Sequence, residues 1–181
     1  MLLRFRFGVL LLFGVMLLNG SVVEASTIRP LVLRTPTRDQ LRVVEKVLGT
    51  DFADGGAGAF PPKLLVSSID LNHDGLKDML VVQEGLCSNH ACKFEVLIAD
   101  EDKWKKSGEL ESWSIPYLES GASNAADNII TFEHLSSDCE ICSDPTPFRF
   151  KYKTKNGQVG TYVRDGPYKG RKLKPFWDWQ D

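Results

Sequence analysis

The sequence predicts an α+β or mainly β domain, with one N-terminal helix packed on a small antiparallel sheet. Three observations carry this expectation. Thr37-Arg38-Asp39-Gln40 fits a capping box, and Leu41, Val44, Val47 and Leu48 follow at helical spacing. Phe148-Arg149-Phe150-Lys151-Tyr152-Lys153 alternates aromatic and basic residues, the two-residue period of a half-buried strand. Short apolar runs at Leu64–Ile69, Met79–Gln83 and Phe94–Ala99 are separated by turn-rich stretches.

In chain order, the first element is an address. Arg4 and Arg6 precede an apolar run from Phe7 to Leu18, and Val23-Glu24-Ala25 supplies small residues at −3 and −1. These are the three parts of a secretory signal peptide, residues 1–25, with cleavage after Ala25. The run is short for a bilayer span, which needs about 20 residues. No stable membrane anchor is expected after cleavage, and no Cys near the cut invites lipidation. No Asn-x-Ser/Thr sequon follows Ala25, which leans toward a bacterial envelope protein, periplasmic or secreted.

Residues 26–36 hold Pro30 and Pro36 and read as an extended lead-in to a single globular domain, 37–176. Thr37 caps the helix and Gly49 stops it. Asp54-Gly55-Gly56-Ala57-Gly58 reads as a loop ended by Pro61-Pro62. After the three apolar runs, Ile129–His134 is a fourth strand. Asn156-Gly157 then turns the Phe148–Lys153 strand back into Val159–Val163. The stretch from Gly108 to Asp127 has no clear period. Residues 177–181 form a tail whose Trp177 and Trp179 either pack on the fold or stack on a sugar.

With 22 basic and 24 acidic residues the net charge is −2, which gives no reason to expect nucleic-acid binding. The charge is segregated, however. Acidic residues dominate 95–144 and basic ones dominate 149–174, the sharpest patch being Arg149, Lys151 and Lys153. Either this patch meets an anionic partner, such as an acidic protein or an envelope polymer, or it faces the chain's own acidic segment or simply solvates a sheet.

The most specific motif is Asp70-Leu71-Asn72-His73-Asp74-Gly75-Leu76-Lys77-Asp78. Carboxylates or an amide stand at positions 1, 3, 5 and 9, with Gly at 6. Calcium takes six to eight oxygen ligands at flexible distances, and the carbonyl of Leu76 adds one from the backbone. An EF-hand needs a Glu at position 12 and flanking helices; here Val81 stands there and both flanks read as strands. The motif, preceded by the Gly-rich stretch and Phe60, resembles the β-loop-β calcium loop of the FG-GAP and VCBS repeat families. Those families stack many copies, and this chain has one, so a whole propeller is excluded. The resemblance implies a calcium role for Asp70, Asn72, Asp74, Leu76 and Asp78. The alternative is an Asx-rich surface turn without metal.

Cys87, Cys92, Cys139 and Cys142 allow three disulfide pairings. Export and proximity favour the two local bridges, Cys87–Cys92 and Cys139–Cys142. Zinc knuckles and a redox-active Cys139–Cys142 pair are the alternatives, the latter opposed by Asp138, Glu140 and Asp144 around it. His73, His90 and His134 have no nucleophile motif nearby and read as polar surface residues. The function expected is an exported, non-enzymatic binding or structural domain with one calcium loop. An inhibitor or immunity-type protein that blocks a partner enzyme, and a metal-dependent or glycan-acting hydrolase, are the rival readings.

Overall fold

A computed structural model describes residues 26–53, 63–84, 87, 91–120, 125–134, 145–154 and 159–175. The expected signal peptide, the Gly-rich stretch with Phe60, His90, Cys139, Cys142, the Asn156-Gly157 turn, Trp177 and Trp179 lie outside these residues.

Local rules place the helix. In α1 (Arg38–Leu48) the Gln40 amide donates to Thr37 Oγ1 at 3.3 Å, and the Thr37 amide donates to Gln40 Oε1 at 2.8 Å. Gly49, at φ 96°, ends it in a conformation that favours glycine. A single short turn of helix, α2 (Thr50–Ala53), follows.

Everything else regular among the described residues is strand. One antiparallel sheet orders β2 (Leu64–Ile69), β3 (Asp78–Gln83), β4 (Cys92–Asp100) and β5 (Lys103–Ser112) side by side. The other runs β1 (Ile28–Pro30), β6 (Tyr117–Glu119), β7 (Asn128–Glu133), β8 (Thr146–Lys153) and β9 (Thr161–Pro167). The expectation of one helix on a small antiparallel sheet is therefore corrected. The domain is mainly β, with two antiparallel sheets of four and five strands packed face to face, and α1 covers only the outer face of the smaller.

This layering explains the character of the apolar runs. The core between the sheets takes Leu65, Leu80, Val82, Phe94, Val96 and Ile98 from the smaller sheet. Leu118, Ile129, Phe148, Phe150 and Tyr162 meet them from the larger. On the opposite face, Val66, Met79, Val81 and Leu97 pack against Val44, Leu41, Val47 and Leu48 of α1. Strands covered on both faces read as continuous apolar runs. Each such side chain contributes about 1.5–3 kcal/mol on burial.

β5 lies in the stretch that carried no expected strand as far as Ser107, and in the irregular stretch beyond it. It is an edge strand whose outward positions hold Lys105, Glu109 and Glu111 and whose buried positions hold Ser107, Leu110 and Ser112. Charged outward positions protect an edge from pairing with another chain. The two serines tie the layers together. Ser107 Oγ donates to the Gly160 carbonyl at 2.8 Å, and Ser112 Oγ accepts the Phe132 amide at 3.0 Å. The lead-in joins the fold too: Ile28–Pro30 pairs with β6, and Leu31 and Leu33 are buried in the core.

Candidate functional site

The loop between β2 and β3 is closed from within by its own polar residues. Ile69 and Asp78 face each other at the ends of the two strands, so residues 70–77 must reverse the chain. Asp70 Oδ2 accepts the Gly75 amide at 3.0 Å, Asn72 Oδ1 the Asp74 amide at 3.2 Å, and Asp74 Oδ1 the Leu76 amide at 2.8 Å. These are local side-chain-to-backbone bonds of the Asx type. His73 and Gly75 both take positive φ, 61° and 87°; at Gly75 nothing lies within 4 Å of an added Cβ, so conformation alone selects glycine there.

Asp78 plays a different part from the other carboxylates. It is fully buried, and it accepts the Leu71 amide on Oδ2 at 2.8 Å and the Ala99 amide on Oδ1 at 3.0 Å. It thus clamps the loop to β4. Burial pushes its carboxyl up to about 6. The Ala99 and Leu71 amides oppose this shift, and the charges of Asp74 and Asp70 add to it.

A second fastening runs to the larger sheet. His73 Nε2 lies 2.8 Å from Asp127 Oδ1, the Asp127 amide donates to the Leu71 carbonyl at 2.8 Å, and the Tyr162 hydroxyl donates to the Asp127 carbonyl at 2.9 Å. His73 is therefore more than the surface residue its sequence context suggests. Its partner lies 54 residues away, and no local pattern points to it.

As a cation site, the loop carries Asp70, Asn72, Asp74, the Leu76 carbonyl and Asp78 on one short turn. Among the described residues, no three His, Cys, Asp or Glu side chains gather into a metal-holding group. Asn72 Nδ2 donates to Asp74 Oδ2 at 2.7 Å, so two of the expected ligands bind each other. Asp70 Oδ1, however, is buried without a hydrogen-bond partner. A buried carboxylate oxygen left unpaired is costly, and a hard cation is the partner that suits it.

Cys87 and Cys92 form the local disulfide, with Cα atoms 4.1 Å apart, which takes both sulfurs out of the zinc-knuckle alternative. Two of the three basic residues of the β8 patch, and Arg164 of β9 beside them, meet the chain's own acids, while Lys153 is exposed. Arg149 Nη2 donates to Glu119 Oε1 at 3.1 Å, Lys151 meets Asp165 at 2.8 Å, and Arg164 meets Glu133 at 2.7 Å. Arg164 also lies over the Phe148 ring, 3.7 Å from its centroid.

Set against protein-family models, curated proteins and solved structures, the chain matches none of them. Among the described residues, no helix is long and apolar enough to cross a membrane.

Proposed function

We propose that this protein is an exported β-sandwich domain with a binding or structural role, and that its Asp70–Asp78 loop takes a calcium ion as a structural clamp. The observation that carries the calcium reading is the buried, unpartnered Asp70 Oδ1 within a loop that also holds Asp74 and Asp78. The strands on either side of the loop, β2 and β3, support the likeness to the β-loop-β calcium families. A cation held by Asp70 and Asp74, with the Asp78 oxygens on their two amides, would relieve the repulsion among the carboxylates and hold the loop closed over the end of the sandwich. Export is supported by the N-terminal pattern and by the Cys87–Cys92 bond, which suits an oxidising compartment.

The test is calorimetric titration of the purified protein with calcium, paired with thermal melting in calcium and in chelator. Saturable binding and a higher melting temperature with calcium are expected, and both should fail in Asp70→Asn. Identical wild-type melting in the two conditions, with no heat of binding at millimolar calcium, would leave the loop a polar turn. For export, N-terminal sequencing of secreted or periplasmic material should begin at Ser26.

A further inference from the structure

A cavity of about 500 Å³ opens where the lead-in parts from the edge of the smaller sheet. Arg34 exchanges two backbone hydrogen bonds with Val66, at 2.9 and 2.8 Å, and this is an isolated bridge. Beyond it the lead-in leaves β2 and joins the other sheet as β1, so a wedge remains between the two edges. Along an antiparallel edge, alternate residues aim their backbone groups the same way. Val66 aims its own at Arg34, so the Ser68 amide and carbonyl face the open wedge.

The walls of this groove are cationic. Arg29, Arg34 and Lys77 line it, all exposed, and no Asp or Glu does among the described residues. None of the three makes an ion pair or a side-chain hydrogen bond with any described residue, whereas Arg149, Lys151 and Arg164 are all matched to acids. Gln40 lines the groove as well. Its Oε1 is taken by the Thr37 amide in the helix cap, which leaves its NH₂ as a donor. The positive end of the α1 dipole lies at this same cap. At the β1 end, Arg171 reaches the Ile28 carbonyl and brings further positive charge alongside.

We propose that this groove is a binding site for a small, hydroxyl-bearing ligand with more than one phosphate group, a sugar bisphosphate in chemical class. Two guanidinium forks suit phosphate oxygens bidentately, and Lys77 adds a point charge. Three cations spread over two walls exceed what one monoanion neutralises, and the Gln40 amide with the Ser68 hydroxyl serves the neutral part. Lys77 belongs to the loop itself, but none of the loop's expected calcium ligands lines the groove, and the test does not depend on calcium.

The experiment is titration of the ¹⁵N-labelled protein, without added calcium, using fructose 1,6-bisphosphate, fructose and inorganic phosphate as probes. Saturable shifts of the Ser68 and Gln40 amides are expected with the bisphosphate, weaker ones with phosphate and none with fructose. Arg34→Gln and Lys77→Gln should each weaken bisphosphate binding about tenfold, the loss of one charge-assisted hydrogen bond. Lys172→Gln, an equal change of net charge outside the groove, should leave it within about twofold. All three side chains are exposed, and the Arg34 bridge is backbone only, so unchanged melting temperatures should accompany these effects. The proposal is overturned by no saturable shift at about 10 mM bisphosphate, well past the useful affinity range. Equal weakening by Lys172→Gln would overturn it too.

Discussion

The Asp78 carboxylate accepts the Ala99 amide at 3.0 Å across two strands of the smaller sheet, while its other oxygen accepts the Leu71 amide. One buried side chain therefore joins the start of β3, the end of β4 and the first residues of the loop. Asp78→Ala would leave two amide donors unpaired, at a cost of about 3 kcal/mol. Asp78→Asn keeps one acceptor and should cost less. Urea denaturation of both variants without calcium measures the difference. Equal stability of Asp78→Ala and wild type would show that the clamp contributes nothing.

Calcium should add to this clamp. A ligand that binds the folded state alone stabilises it by about 2.7 kcal/mol at a hundredfold excess over Kd. Asp74→Ala removes a charge and an oxygen from the loop and should abolish the calcium-dependent rise in melting temperature. Leu76→Ala keeps the backbone carbonyl and should retain it. Melting curves of both variants, with calcium and with chelator, separate the two roles.

Tyr162 gives a distinct alkaline signature. Burial, with the charges of Asp127 and Asp78 adding, pushes its hydroxyl well above the ordinary range. Above the unfolded value of about 10, the unfolded chain releases this proton while the folded protein keeps it. Stability contributed by Tyr162 is therefore complete below that pH and falls as pH rises beyond it, by about 1.4 kcal/mol per pH unit. Tyr162→Phe should cost about 1–2 kcal/mol near neutrality, because the Asp127 carbonyl loses its donor. It should also flatten the alkaline fall, and denaturant midpoints between pH 8 and about pH 11.5 would reveal this.

The Cys87–Cys92 bond closes a short loop, with a sequence separation of 5. Constraining a loop of that size stabilises the fold by roughly 2 kcal/mol in the chain-entropy view. A Cys87→Ser, Cys92→Ser double variant should lose about that much in denaturant unfolding and still fold. In the exported wild type, thiol titration under denaturing, non-reducing conditions should find no free thiol, which also tests the expected Cys139–Cys142 bridge. Two titratable thiols would refute that second bridge.

What the sequence by itself determined here is what neighbours along the chain can decide. Thr37 and Gln40 cap a helix because they stand three residues apart, and Asp70, Asn72 and Asp74 close a loop whose acceptors and donors lie within five residues. The apolar runs of β2, β3 and β4 were legible as strands because burial on both faces makes them uniformly apolar. Only the tertiary structure decided that two sheets face each other. The face β5 turns inward carries Ser107 and Ser112, whose partners Gly160 and Phe132 lie in distant segments, so no hydrophobic period marks that strand. It also decided which charges are matched. Arg149 meets Glu119 across 30 residues, and Arg29, Arg34 and Lys77 come together along one groove. The reason is physical: a sequence period records which face of an element is apolar, but the pairing of polar groups far apart in the chain is chosen only when the layers pack.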